Sequence, residues 1–242
     1  MTFEIEWKKY LDQAATYIKK DKELRIWVVV ALVLGIGGGS YYGYRLINQR
    51  WSQKAQVAFA ESYDVFNQAV AAQFNDKAAA DAKREMWEQA EIDFKRAYEN
   101  NAHASLAPFL KAFRGQTLLF EGDREEAVTV MTEAVAKMGS SNPYKGLYEI
   151  GLAFVMLDGD EASIEKGIKQ LEDVASNEKN TFQDMALYYL GLYFNVLGEP
   201  DKAVGYWKQI KQDAMASTSK RGESPWAKLV KIKLSETGQK ED

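Results

Sequence analysis

The stretch from Ile26 to Tyr44 constrains this sequence more than any other feature, because its nineteen residues include no charged side chain. Arg25 precedes the stretch and Arg45 follows it. As an α-helix it would measure roughly 28 Å, close to the ~30 Å hydrocarbon thickness of a bilayer. Trp27 lies near one end and three tyrosines lie near the other, where membrane helices carry interfacial aromatic residues. The sequence therefore predicts one transmembrane helix over residues 26–45.

Three other interpretations of this stretch remain open. A buried helix of a soluble protein is usually shorter and seldom contains five glycines, as this stretch does. A cleavable signal peptide could end near Gly37 or Gly39, although the apolar run begins only after 25 residues that include five acids. A dinucleotide-binding turn would need a preceding strand and a βαβ unit, and the sequence offers neither. We therefore favour the transmembrane prediction.

Small residues recur every four positions within the stretch, at Ala31, Gly35, Gly39 and Gly43. This spacing places them on one face of a helix, where they would let a second helix approach closely in lipid. The alternative is that glycine is simply more frequent in membrane helices. We predict a helix-packing face, whose partner is either a second copy of the chain or another protein.

The segment before the stretch, residues 1–25, forms a leader with an amphipathic pattern. An amphipathic helix is predicted over residues 3–20, because apolar residues follow helical spacing at Trp7, Leu11, Ala14 and Ile18. We expect a helix on the membrane surface or a docking helix for a cytosolic partner, with a loosely ordered leader as the alternative. Four Lys or Arg residues lie within fifteen positions before the stretch and three lie after it. This small difference favours a cytoplasmic N-terminus.

Composition excludes several function classes. Residues 1–50 contain eight Lys/Arg and five Asp/Glu, whereas residues 51–242 contain 23 and 30, so the larger part is acidic and unsuited to nucleic acid. The chain has no cysteine, which excludes disulfides and thiolate chemistry. Its single histidine, His103, lies in a polar turn-like segment. No nucleophile, metal-binding or phosphate-binding motif is present. We predict that the protein is not an enzyme and binds no cofactor or metal.

The remainder contains an internal repeat of two helices, here called A and B. Each copy has a glycine in helix A and a small residue in helix B. These residues are Gly115 and Ala127, Gly151 and Gly167, and Gly191 and Ala203. We expect each pair to let two antiparallel helices pack closely, while Leu118, Phe154 and Phe194 fill the space beside it. Gly122 and Gly198 are expected to cap the A helices with positive φ.

These repeats resemble the tetratricopeptide repeat. The third copy fits best, through Leu187, Leu190, Gly191, Phe194, Gly198, Ala203 and Trp207. The first copy departs by placing Lys111 at a position that is normally large and apolar, and the second contains a four-residue insertion before helix B. An irregular helical bundle is the alternative.

The predicted fold is all-α: a transmembrane helix, then a tetratricopeptide-like α-solenoid over residues 46–242. A helix should continue from Leu46 to about residue 74, and a second should follow over 77–100. Ser224 and Pro225 should begin a single helix that caps the solenoid.

The resemblance also predicts a binding groove, because the A helices of the repeat family line a concave side. The positions that the family uses for ligands hold Phe109, Phe120, Tyr148, Leu152, Met156, Tyr188, Leu192 and Asn195. This set is apolar and aromatic, which favours an apolar peptide or a partner helix over an acidic C-terminus. The alternative is that residues 51–74 or 224–236 already fill the groove.

The whole layout resembles the YfgM-like family of bacterial inner-membrane proteins, including the step Gly43-Tyr44-Arg45 at the end of the stretch. The resemblance implies a cytoplasmic N-terminus, a periplasmic repeat domain and an ancillary role at the Sec translocon beside a membrane-anchored chaperone. Two alternatives remain. One is a structural subunit of another envelope complex that self-associates through its glycines, and the other is a holdase for unfolded chains.

Overall fold

The computed structural model describes residues 22–75, 78–216 and 224–236, although the side chains of 22–44, 46, 211–216 and 236 lie outside the described set. Nine α-helices and no strands occur in these ranges. The helices are α1 (Lys22–Gln73), α2 (Ala80–Asn100), α3 (Ala107–Glu121), α4 (Arg124–Lys137), α5 (Lys145–Leu157), α6 (Glu161–Ala175), α7 (Gln183–Val196), α8 (Pro200–Ala216) and α9 (Pro225–Glu236). The all-α prediction is confirmed for the described residues.

The chain divides into two compact units, residues 1–54 and 55–242. The first unit is described only as the beginning of α1. That helix runs for 52 residues without a break, so the prediction that it continues past Leu46 is confirmed. In the part of the chain that the structure describes, no helix is both long and apolar enough to cross a membrane. The side chains of residues 26–44 and the whole of residues 3–20 lie outside the described residues. The transmembrane helix and the amphipathic leader helix therefore remain predictions.

The second unit is built from helical hairpins whose ends are set by local sequence. Gly122 ends α3 with φ of 93°, and Gly198 follows α7 with φ of 77°, a conformation that costs glycine little. Asp123 and Asp160 precede α4 and α6, and each carboxylate accepts a backbone N–H three residues on. The predicted positive-φ caps are confirmed.

Consecutive hairpins share their apolar cores. The A helices are α3, α5 and α7, and the B helices are α4, α6 and α8. The end of α1 and α2 form a further pair, which packs Phe66, Trp87 and Phe94 against Leu110 of α3. The C-terminal helix α9 begins at Pro225, as predicted, and buries Val230 in the core of the last hairpin. It therefore closes the stack, as a solenoid cap does.

Glycines permit close helix contact in the first and third hairpins, as predicted. A Cβ on Gly115 would overlap Met131 Cγ and lie 3.3 Å from the carbonyl oxygen of Ala127. A Cβ on Gly191 would lie 2.6 Å from Cε2 of Trp207, whose ring is fully buried. These distances are shorter than van der Waals contact, so neither position has room for a methyl group.

The second hairpin departs from the prediction. A Cβ on Gly151 would meet only Met131 Cε, at 3.7 Å, which is an ordinary contact. The close approach is made instead by Gly167, where a Cβ would lie 2.9 Å from the carbonyl oxygen of Ala153. The prediction that Gly151 is the contact point is therefore wrong.

The predicted role of Phe154 is also wrong. Leu147 and Phe154 are 38% and 37% exposed, whereas their counterparts in the other two hairpins are at most 8% exposed. Those counterparts are Lys111, Leu118, Leu187 and Phe194. Helix α6 packs on the face of α5 that carries Ile150 and Ala153. This face lies about one residue position, or roughly 100°, around α5 from the face that carries Leu147, Gly151 and Phe154. The four inserted residues lie in the turn and the first turn of α6, so this B helix returns along α5 in a different register.

Candidate protein-interaction surface

The least buried strip of α7 is apolar over its whole length. It consists of Met185, Tyr189, Leu192 and Val196, at the spacing of one helix face. The corresponding strip of α3 contains Phe109, Phe113, Gln116 and Phe120. Phe120 and Val196 are exposed and the other side chains of both strips are half-buried, whereas most other positions of these helices are buried. Apolar surface that is retained in this way is typical of a protein-interaction site.

Phe109 and Tyr148 are brought together from consecutive A helices. Their ring centroids are 5.3 Å apart in an edge-to-face arrangement. Burial raises the pKa of Tyr148 to about 12, with a smaller contribution from the charge of nearby Tyr63 on α1. Tyr63 was not among the predicted site residues, because it is distant from Tyr148 in the sequence.

Leu152 does not lie in an open groove, and this part of the prediction is corrected. It is buried in the core formed with Leu118 and Met131, while Met156 packs half-buried against the same core. The physical reason is that Leu152 faces the preceding hairpin, where residues of α3 and α4 cover it.

Tyr188 is likewise buried, which is a second correction. Trp226 of α9 covers it at 5.2 Å between ring centroids. Leu192 is half-buried against the same core, and Asn195 is exposed near the end of α7. The alternative interpretation, that the C-terminal helix fills part of the groove, is therefore correct at Tyr188.

Phe120 lies at the far end of α3 and is nearly half exposed. Its ring stacks on the buried Trp87 of α2, at 4.2 Å between centroids and 5° between planes. The predicted membrane-helix residues Ala31, Gly35, Gly39 and Gly43 lie within the helical backbone of α1, but their side chains are outside the described residues.

The model of the tetratricopeptide repeat-like domain family matches residues 19–239. The chain belongs to this family. Neither the curated proteins nor the solved structures contained a match. Domains of this family generally mediate protein–protein interaction, so the chain carries a protein-interaction scaffold. The resemblance to the tetratricopeptide repeat is thereby confirmed.

One departure from the repeat pattern has a physical explanation in this tetratricopeptide repeat-like domain. Lys111 is 8% exposed, and its aliphatic stem fills the place of a large apolar residue. Its ammonium group forms an ion pair with Glu133 of α4 and lies 5.2 Å from the centre of the Tyr98 ring. The charge is therefore partnered on the surface while the stem stays in the core.

A charged network links α2, α3 and α4, and no sequence pattern predicts it. Arg114 pairs with Glu91 at 2.5 Å and with Glu126 at 2.6 Å. Burial acts to lower the pKa of Arg114, but the hydrogen bonds and charges of the two glutamates outweigh it and raise that pKa. The three residues are far apart in sequence and follow no spacing rule, so only the packing of three helices reveals the network.

Glu121 lies beside this network without a partner for one of its oxygens. Its Oε1 is buried and has no hydrogen-bond partner. Burial, followed by the negative charges of Glu91, Glu88 and Asp123, raises the pKa of Glu121 to about 7. This carboxyl group therefore takes up a proton near neutral pH.

Proposed function

We propose that this protein is a membrane-anchored tetratricopeptide-like scaffold that serves as an ancillary subunit of the bacterial Sec translocon. In this role it works beside a membrane-anchored chaperone on emerging chains. The observation that carries the proposal is that the uncharged residues 26–44 belong to α1, the helix that continues into a domain of an interaction family. One chain therefore combines a candidate anchor with a scaffold.

The proposal includes an orientation. The N-terminus lies in the cytoplasm and the repeat domain lies in the periplasm. The excess of basic residues before residue 26 and the absence of cysteine are both compatible with this arrangement. The partners are proteins, and the apolar strips of α3 and α7 supply surface for them.

A second candidate function is a structural subunit of another envelope complex. The recurrence of Ala31, Gly35, Gly39 and Gly43 favours it, because such a face also supports self-association. The two functions differ in what the face binds: a translocon subunit in the first case and a second copy of this chain in the second.

The deciding experiment is purification of the tagged full chain in mild detergent, with mass spectrometry of the co-purified proteins. Recovery of translocon channel subunits supports the proposal. Gly39→Leu should abolish this recovery, whereas Gly37→Leu, which lies on another face of the helix, should preserve it. Recovery of the chain alone, or of an unrelated envelope complex, would overturn the translocon assignment.

Orientation has its own test, since the chain contains no cysteine. A Lys208→Cys variant places one thiol at an exposed position of α8. A membrane-impermeant maleimide added to cells with a permeabilised outer membrane should label it. Labelling that occurs only after lysis would refute a periplasmic repeat domain.

A further inference from the structure

Residues 45–54 of α1 follow the uncharged stretch directly and are basic. Arg45, Arg50 and Lys54 give this segment three positive charges. No acidic residue occurs anywhere in residues 24–60, although residues 51–242 as a whole are acidic. The helix is continuous from the uncharged stretch into this segment. Positive charge is therefore concentrated beside the predicted membrane helix.

The same segment exposes two large apolar side chains. Ile47 is 49% exposed and Trp51 is 42% exposed. Among the described side chains of residues 45–54, that of Ser52 is half-buried and the others are exposed. Exposed tryptophan combined with lysine and arginine is the composition of a helix segment at a membrane interface.

Four of these residues share one face of α1. Ile47, Arg50, Trp51 and Lys54 follow one another at the spacing of neighbours on a helix surface. Together with Gln53 they line one surface pocket. These four residues are called the basic face below. It places two positive groups beside an indole ring and an aliphatic side chain.

Helix geometry places the basic face close to the depth of lipid headgroups. Along the helix axis, Arg50 lies about 9 Å and Lys54 about 15 Å beyond Tyr44. The polar region on each side of a bilayer is roughly 5–8 Å thick. Helical side chains tilt toward the N-terminus, so the guanidinium and ammonium groups reach back toward the bilayer. Tilting of the helix brings both groups nearer still.

We propose that the basic face of α1 binds the headgroups of anionic phospholipids beside the membrane anchor. This inference rests on the anchor in the proposed function. Arg50 and Lys54 pair with the negative charges of the lipid phosphates. Trp51 and Ile47 lie among the glycerol groups and the upper ends of the acyl chains.

Position and charge together identify lipid as the occupant. A helix that leaves a bilayer is surrounded by headgroups, and anionic headgroups attract basic residues next to a span. In the proposed orientation this segment lies on the translocated side, where lysine and arginine are normally less frequent. Membrane insertion therefore does not account for these charges, whereas lipid binding does.

The test measures lipid preference at this segment in the full chain. Asn48→Cys provides the single thiol for a fluorophore, since the chain contains no cysteine and Asn48 is exposed beside the basic face. The protein is placed in nanodiscs of phosphatidylcholine, and either spin-labelled phosphatidylglycerol or spin-labelled phosphatidylcholine is titrated as quencher. We expect phosphatidylglycerol to quench at severalfold lower concentration, with a preference that weakens as salt is added.

Substitutions then assign the preference to the basic face. Arg50→Gln should lower the preference by about fivefold, and adding Lys54→Gln should lower it again, down to the contribution of Arg45. The matched control combines Lys95→Gln and Lys208→Gln, which remove the same charge at exposed positions of α2 and α8. The control should keep the full preference. All four positions are exposed, so both double variants should melt at the wild-type temperature.

Three outcomes would overturn the proposal alone. They are equal quenching by the two lipids, a preference that the Arg50→Gln and Lys54→Gln variant keeps in full, and a preference that the control loses equally. Equal quenching together with loss of co-purified translocon subunits from the first variant would make a protein the occupant. A full chain that does not enter nanodiscs would overturn the anchor in the proposed function and this inference with it. The two failures are therefore distinguishable.

Discussion

Replacing Gly191 with alanine would place a methyl group where the ring of Trp207 now lies. The new Cβ would be 2.5 Å from Cδ1 and 2.6 Å from Cε2 of that ring. Trp207 is fully buried, and its indole N–H donates a hydrogen bond to the carbonyl oxygen of Tyr188 at 3.2 Å. The ring cannot move without losing that bond or displacing α8.

The expected magnitude follows from three contributions. Overpacking of a filled core costs about 1–3 kcal/mol. Weakening of the Trp207 hydrogen bond costs about 1 kcal/mol. Removing glycine from a helix interior returns about 1 kcal/mol. We therefore expect Gly191→Ala to lower the free energy of unfolding by about 1–3 kcal/mol.

The same substitution at Gly151 should act in the opposite direction. Its Cβ would lie in ordinary contact at 3.7 Å, so the helix-propensity gain of up to about 1 kcal/mol remains. The two homologous variants should thus differ by roughly 2–4 kcal/mol. Urea denaturation of the full chain in mild detergent, followed by circular dichroism at the helix band, measures both.

Equal shifts in the same direction for the two variants would refute the reasoning, because they would show that the two glycines have the same surroundings. A double-mutant cycle adds a second check. In a Trp207→Ala background, Gly191→Ala should no longer destabilise the protein, since the ring that it displaces has been removed.

Three further predictions concern charges and turns. Glu121→Gln should be as stable as the wild type near pH 4.5 and more stable at pH 8, by about 1 kcal/mol after allowance for solvent screening. The reason is that the raised pKa of Glu121 lowers the stability of the wild type as pH rises from about 4.5 to 7. Urea midpoints at both pH values measure this difference, and parallel pH profiles would contradict it. Arg114→Ala leaves the largely buried Glu91 unpaired and should lower the free energy of unfolding by about 2 kcal/mol. Arg114→Lys should restore only part of this stability, and full recovery by lysine would show that bridging two carboxylates is unimportant. Gly122→Ala forces a residue with a side chain to adopt φ of 93° and should lower the free energy of unfolding by about 1 kcal/mol. Gly205→Ala, in open space within α8, should stabilise the protein. A Gly122→Ala variant as stable as the wild type would contradict the cap assignment.

Much of the repeat architecture could be predicted from the sequence, because its signals are local. Gly122 and Gly198 cap helices through their own backbone freedom, and Asp123 caps α4 through a carboxylate three residues from its N–H donor. The close helix contact at Gly115 follows from its pairing with the small residue Ala127 at repeat spacing. Such features depend on residues within one hairpin and need no knowledge of the next.

The binding surface was predicted less well, because exposure depends on which face the neighbouring helix covers. Leu152 and Tyr188 occupy family ligand positions, yet the first is buried by the preceding hairpin and the second by α9. Conversely, Leu147 and Phe154 occupy positions that are buried in the other hairpins and are exposed here. The four-residue insertion was visible in the sequence, but its effect on helix register was not.

The sequence by itself determined the helical repeat class, the positions of the caps and the acidic, cysteine-free composition, since these depend on residue type and local spacing. It also supplies the prediction of a transmembrane helix over 26–45, which rests on the length of the uncharged stretch and on the aromatic residues at its ends. Only the tertiary structure decided that α6 packs on a different face of α5, that Arg114 joins three helices and that Leu147, Gly151 and Phe154 remain open. The physical reason is that these features depend on how one helix is rotated against another, and many residues on several helices set that rotation together.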